Sequence, residues 1–289
     1  MNTNNQNTLL CDAIIPAAGK GTRFLPFTKA VPKELLPLLG TPAIHHIIKE
    51  LYAANLTRTH IITHPSKTAL RKYFEHDDQL NSTHYPDIKE LKELDFLCSN
   101  MHISYINQDQ QKGLGHAILQ AQHAITNPFF AAILPDDILI GSEYSMQTLT
   151  ALFNIHACSI IAVQEVPADH VSRYGIISFK EKVSDTVFRL SDVVEKPKIA
   201  DAPSRYAIIG RYILSSDIFP ILDSTKPGSG GEIQLTDGIK TLINSGHTVL
   251  ACVVPQERFD IGNPAGWLKA TLSFALKDPL LAQIVRSAQ

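Results

Sequence analysis

Two glycines and two basic residues crowd into one short segment, Ala17-Ala18-Gly19-Lys20-Gly21-Thr22-Arg23, at the end of an apolar run over residues 9–18. A glycine loop at the carboxyl end of a strand lets backbone N–H groups approach phosphate oxygens closely. The spacing is not a dinucleotide fingerprint, which needs glycine where Phe24 stands, and no GxxxxGK followed by Ser or Thr occurs. Taken alone, such a turn is structural more often than not. Lys33 follows ten residues after Arg23, between Pro32 and Pro37, so that Arg23 and Lys33 together offer two cations to a triphosphate.

The elements around this loop read as α/β. The run at residues 9–18 suits a buried strand. Thr41 and Pro42 suit an N-cap and first helical residue, with Ile44, Ile47, Ile48 and Leu51 on one helical face. Residues 60–63 form the next strand, which completes a βαβ opening and predicts a Rossmann-like, mostly parallel central sheet flanked by helices. Residues 66–100 are charged and read as a surface excursion. A strand at 103–106, a helix at 116–125 and a fully apolar central strand at 129–134 follow. In the second half, strands at 159–166, 175–179, 187–194 and 206–214 come with little helix between them, which predicts an antiparallel extension of the sheet. Helices at 232–244 and 264–276 flank a strand at 249–254. Residues 1–8 read as a flexible N-terminus and 9–289 as a single domain in two parts, about 9–140 and about 141–289.

The 289 residues carry 26 Lys and Arg against 28 Asp and Glu, a formal charge of −2, which disfavours bulk electrostatic binding to nucleic acid or anionic membrane. No apolar stretch approaches the ~18 residues of a spanning helix, and a cytoplasmic location is expected. Cys11, Cys98, Cys158 and Cys252 are far apart and form no CxxC, so neither a disulfide scaffold nor structural zinc is expected. His60 and His64 lie about 13 Å apart in a strand, and His45 and His46 diverge on a helix.

The run from Ala17 through Lys33-Glu34-Leu35-Leu36-Pro37 resembles the nucleotide-binding signature of the sugar-1-phosphate nucleotidyltransferases, and in its wording their uridylyl, glucose branch. Further matches follow in order: Gln108 with Lys112-Gly113-Leu114-Gly115-His116-Ala117, Leu134-Pro135-Asp136-Asp137, Tyr174-Gly175, Val194-Glu195-Lys196-Pro197, Gly231-Glu232-Ile233-Gln234-Leu235-Thr236-Asp237 and Phe259-Asp260-Ile261-Gly262-Asn263. They cover residues from about 10 to 276.

The resemblance implies transfer of the uridylyl group of UTP to α-D-glucose 1-phosphate, with UDP-glucose and pyrophosphate as products and Mg²⁺ as cofactor. An in-line displacement of this kind asks for positioning and charge neutralisation. Arg23 and Lys33 fall on the UTP phosphates, with Thr22 and the Gly19 and Gly21 backbone beneath them. Asp136 falls on the metal, since magnesium favours one or two carboxylates plus substrate oxygens. Asp137 points the other way on an extended chain and is a bystander. Asp260 matches a second metal-side carboxylate, with a helix cap before Pro264 as the other reading. Gln108 and backbone at Ala17, Ala18 and Gly113 fall on the base. Glu195 accepts from glucose hydroxyls, Lys196 binds the sugar phosphate, and Gly175 permits close approach; a bend at Pro197 would bring Glu195 and Lys196 together. Gly210 and Glu232 are further candidates. Glu34 either supports the nucleotide or makes a surface salt bridge, and His116 either caps a helix or touches ligand.

A catalytically silent regulatory relative would lose residues of the Gly-Thr-Arg segment, and Thr22, Arg23 and Lys33 are all present. Use of dTTP or another sugar 1-phosphate is the other alternative. A homodimer or homotetramer is expected, with residues 66–100 and the C-terminal helix as contacts.

Overall fold

The computed structural model describes residues 10–287, so the expected flexible segment 1–8 lies outside the described residues. The chain begins with β1 (Asp12–Pro16), passes through the loop 17–36 and a small hairpin, β2 (Pro37–Leu38) and β3 (Thr41–Pro42), and enters α1 (Ala43–Ala53). Then come β4 (Arg58–Thr63), α2 (Thr68–Phe74), α3 (Lys89–Asn100), β5 (His102–Asn107), α4 (Leu114–Leu119), β6 (Phe129–Ile133), β7 (Asp137–Ile140) and α5 (Ser145–His156). The second half contributes β8 (Ser159–Glu165), β9 (Gly175–Lys182), β10 (Val187–Glu195), β11 (Tyr206–Ser215), α6 (Ile218–Ser224), α7 (Leu235–Asn244), β12 (Val249–Val253), β13 (Glu257–Asp260), α8 (Pro264–Lys277) and α9 (Pro279–Ser287).

Nine strands form one sheet in the order β5-β4-β1-β6-β11-β8-β12-β10-β9. Only β11 and β10 run against the other seven, so the sheet is mostly parallel with its reversals in the second half, as expected. The alternation along β1 shows why both faces are covered: Ala13 and Ile15 pack with α1, α5 and α8, while Ile14 packs with α4, α6 and α7 on the other side. Ile44, Ile47, Ile48 and Leu51 of α1 are fully buried, as their spacing requires.

Three boundaries differ from the sequence reading. Thr41 does not cap α1; it pairs with Leu38 in the hairpin, and its Oγ1 lies 2.8 Å from His46 Nε2. The helix expected over 116–125 ends at Leu119 and continues as turns with i to i+3 bonds, which still bury Ala121 and Ile125. The helix expected from 232 starts at Leu235, because Ile233 is held in extended backbone by bonds to Lys112 and Gly115.

The chain visits β1, β4 and β5 on one side and returns to β6 on the other side of β1. Crevices beyond the carboxyl ends of such strands are where open α/β sheets bind ligands. The loops after β1 and β6 flank this one.

Candidate active site

The loop after β1 descends into the crevice through three single turns of 3-10 helix, Thr22–Phe24, Phe27–Lys29 and Lys33–Leu35. Gly21 has φ +66°, and a Cβ there would lie 3.0 Å from Thr28 Cγ2 and 3.3 Å from Lys33 Cβ. Glycine is therefore required by both the left-handed backbone and the close approach of Lys33. Thr28 fixes the turn by donating to the Gly21 carbonyl at 2.8 Å.

Lys33 reaches across the crevice to Asp136, Nζ to Oδ2 at 2.5 Å. Burial works against the Lys33 ammonium, but Asp136, Glu34 and Asp260 outweigh it and hold its pKa above the ordinary 10.5. Burial pushes the Asp136 carboxyl up, and the charge and hydrogen bond of Lys33 more than reverse this, leaving it below 3.8.

The antiparallel pair β7–β13 sets Asp260 opposite Asp137, and Ile261 N donates to the Asp136 carbonyl at 2.8 Å. A Cβ built on Gly262 would lie 2.9 Å from Asp260 Oδ1, 3.1 Å from Asp136 Oδ2 and 3.7 Å from Arg23 Nη1. The two carboxylate oxygens are thus at most about 6 Å apart, with the Arg23 guanidinium at the same point. Asp260 does not cap α8; Asn263 does, accepting from Gly266 N at 2.9 Å. No group of three or more His, Cys, Asp or Glu suited to a metal occurs among the described residues. Two carboxylates are the donor set that magnesium accepts when substrate oxygens and water complete its shell, so Asp136 and Asp260 fit that ion.

The Asp137 carboxylate is held by the protein itself, through partners the sequence hid. Its Oδ2 accepts from Gly210 N at 2.9 Å and its Oδ1 from Arg258 Nε at 2.8 Å. Burial raises its pKa in spite of Arg258. Gly210 correspondingly faces packing: a Cβ there would meet Leu134 Cβ at 2.7 Å, and its carbonyl accepts from Leu134 N. Both backbone groups of Gly210 are thus engaged within the protein.

The cleft beside Lys33 has a volume of about 1060 Å³ and is lined by Ala18, Gly19, Thr22, Gln108, Gly113 and Asp136 among others, Glu232 included. Gln108 is buried, its Nε2 2.7 Å from His116 Nδ1. Ala17 offers no free N–H for a base, since that group donates to the Ile62 carbonyl at 2.7 Å. Its own carbonyl accepts from Lys67 Nζ at 2.5 Å, and that of Ala18 from Gln111 Nε2 at 2.6 Å. Neither Lys67 nor Gln111 stood out in the sequence. Lys67 also grips both oxygens of buried Glu34, at 2.8 and 3.1 Å, so the Glu34 pair is interior rather than on the surface. Burial raises Glu34 and lowers Lys67.

A second cluster forms where β9 begins and β10 ends. Register sets Gly175 opposite Glu195, whose Oε2 accepts from Thr236 Oγ1 at 2.7 Å. A Cβ on Gly175 would stand 3.0 Å from that hydroxyl and 3.3 Å from Glu195 Oε2, so the glycine keeps this face open. Lys196 has φ +46°, and its Nζ returns to 3.1 Å from Glu195 Oε1. The bend expected at Pro197 is thus made one residue earlier. Thr236 and Arg258 were missed; Arg258 joins the two clusters, bonded to Asp137 and stacked at 4.8 Å over the ring of Tyr174, beside Gly175.

The nucleotidyl transferase family model matches residues 12–275. A UTP–glucose-1-phosphate uridylyltransferase of Staphylococcus haemolyticus is 42% identical over 92% of this chain and 93% of its own length. One of the same name from Pseudomonas aeruginosa is 41% identical over 89% and 93%. Among solved structures, a UDP-glucose pyrophosphorylase complexed with UDP-glucose superposes with a TM-score of 0.87 at 39% identity, covering 93% of this chain and all of that one. With its parallel sheet, glycine loop and paired carboxylates, the chain belongs to the nucleotidyl transferase family.

Proposed function

We propose that the cleft transfers the uridylyl group of UTP to α-D-glucose 1-phosphate, releasing pyrophosphate. The observation that carries the reading is the meeting of Arg23, Asp136 and Asp260 around Gly262, with Lys33 bonded to Asp136. A phosphate oxygen of the sugar phosphate attacks the α-phosphorus of UTP; the new O–P bond forms as the bond to the bridging oxygen of the leaving pyrophosphate breaks. No protein nucleophile is needed.

Arg23 and Lys33 neutralise the UTP phosphates, over the Gly19, Gly21 and Thr22 backbone. Lys33 gives up Asp136 to do so, which frees that carboxylate. Asp136 and Asp260 would hold Mg²⁺, which when bound supplies further charge neutralisation at the phosphates. Gln108, Ala18 and Gly113 receive the base. Glu195, oriented by Thr236, accepts from glucose hydroxyls beside Gly175, and Lys196 holds the sugar phosphate. The reading divides the domain into a nucleotide part at about 9–140, to which Asp260 adds a carboxylate, and a sugar part at about 141–289.

A homodimer or homotetramer is part of the reading. Leu268, Leu272 and Leu276 are exposed at steps of four along α8, and Leu280 and Ile284 at the same step along α9; these exposed apolar side chains support self-association through the C-terminal helices. Light scattering that gives a monomer removes this part. No helix among the described residues is long and apolar enough to cross a membrane; the nucleotide substrate favours the cytoplasm.

Purified protein mixed with UTP, glucose 1-phosphate and Mg²⁺ is expected to release pyrophosphate, with dTTP much poorer. Silence with every nucleotide contradicts the reading and favours a regulatory relative.

A further inference from the structure

Gln108 follows β5 and lines the cleft, while His116 of α4 stands behind it and does not. Gln108 Nε2 lies 2.7 Å from His116 Nδ1 and 3.4 Å from the Gly113 carbonyl. A carbonyl only accepts, so this end of the amide is the NH₂ group, and its second hydrogen needs an acceptor at Nδ1. Burial and the nearby Lys112 ammonium disfavour the imidazolium, and a neutral ring with bare Nδ1 carries its hydrogen on Nε2.

That hydrogen points at Gln120, whose Nε2 lies 3.3 Å from His116 Nε2 and 3.2 Å from the His116 carbonyl. Two amide nitrogens therefore compete for one acceptor ring. Gln108 is 3% exposed, whereas Gln120 is half-buried at the helix end, where water replaces a lost bond at little cost. Gln120 is the amide that gives way, exchanging its bond to the His116 carbonyl for water.

We infer that His116 is a positioning residue that selects the base edge, by holding the Gln108 amide with its oxygen toward the cleft. Both amide hydrogens are then engaged inside the protein, and Oε1 can only accept. Uracil presents an N3–H to it; cytosine presents a bare N3, and two acceptors face each other. Thymine carries the same N3–H, so this contact separates UTP from CTP and not from dTTP. The inference rests on the placement of the base at Gln108.

The test is the ratio of kcat/KM for UTP over CTP, with glucose 1-phosphate as co-substrate, in the wild type, Gln108→Ala, His116→Phe and the double variant. Where CTP is not turned over, its inhibition constant against UTP stands in. His116→Phe frees the amide to rotate, and the ratio is expected to fall at least tenfold, as loss of a polar discriminating contact does. The double variant is expected to match Gln108→Ala alone. If Gln108→Ala lowers the ratio and His116→Phe does not, the inference falls and the base placement stands. If neither lowers it, the base placement itself is wrong. Nitrogen-15 NMR of labelled histidine in the wild type gives an independent readout should His116→Phe not fold: an unprotonated Nδ1 on His116 supports the inference, and an Nδ1–H overturns it.

Discussion

The region proposed as the nucleotide end runs through three single 3-10 turns between residues 22 and 35, whereas the one proposed as the sugar end is carried by the regular pair β9 and β10 and one left-handed residue, Lys196. The first is tied together by charge across long sequence distances: Lys33 to Asp136 and Lys67 to Glu34. At the second, strand register sets Gly175 against Glu195, whose carboxylate takes a bond from a neutral hydroxyl, Thr236, and pairs with its own chain neighbour, Lys196. The contrast teaches how a protein stores cations for an anionic substrate. An irregular loop needs ion pairs to hold its shape when empty, and in the proposed function one of them, Lys33–Asp136, is what triphosphate and metal exchange with. A sheet end is shaped beforehand and needs little rearrangement.

The largest effects test whether charge governs the nucleotide end. Asp136→Ala is expected to lower turnover by at least two orders of magnitude while the protein stays folded, as loss of charge stabilisation at a transferring phosphoryl group does. Lys196→Ala should do the same from the sugar end, because the proposed reading sets Lys196 on the attacking phosphate; normal steady-state turnover in either variant removes its assigned role.

Behind the nucleotide end, Arg211 and Glu50 form an ion pair 1% and 3% exposed, and Arg211 also donates to the Asp137 carbonyl. Leaving the Arg211 charge unpaired with Glu50→Ala should cost about 3–5 kcal/mol of stability, read by denaturant unfolding. A loss below ~1 kcal/mol would show that this pair does not brace the metal-side loop.

Thr236→Val is the sharper probe of the sugar end. It removes the donor that orients Glu195 and should raise KM for glucose 1-phosphate about tenfold, with KM for UTP unchanged, since one hydrogen bond to a charged group contributes ~1.5–3 kcal/mol. Equal changes in both constants would erase the distinction between the two ends.

The smallest effect concerns pH. Asp136 is held below its ordinary 3.8, so its contribution is present above that value and fades as pH falls through the lower folded one. Lys33 is held above 10.5, so its contribution is present below that value and fades as pH rises through the higher folded one. The pair is intact throughout the interval, and the stability lost in Lys33→Met should be constant from pH 6 to 9 in thermal melts. A steep change across that range would contradict the assignment.

Local pattern made much of this legible. Ile44, Ile47, Ile48 and Leu51 announced α1, and the apolar run at 129–134 announced β6, because burial on one or both faces writes itself into short-range periodicity. The motifs carrying Arg23, Lys33, Asp136, Glu195 and Asp260 marked the ends of these elements. Lys67, Thr236 and Arg258 stayed hidden, since their partners Glu34, Glu195 and Asp137 lie far away in the chain and nothing nearby requires them. The packing that requires glycine at 210 was hidden for the same reason: it comes from Leu134 and Asp137, both distant in the chain. Glu232–Gln234 carried a helical pattern that pairing with the 112–115 loop overrode.

The most direct measurement is pyrophosphate release from UTP and glucose 1-phosphate by the wild type and Asp136→Asn, each with Mg²⁺ and after chelation. The account predicts release by the wild type that chelation abolishes, and at least a hundredfold less from Asp136→Asn. Full activity in the variant, or activity indifferent to chelation, would contradict it.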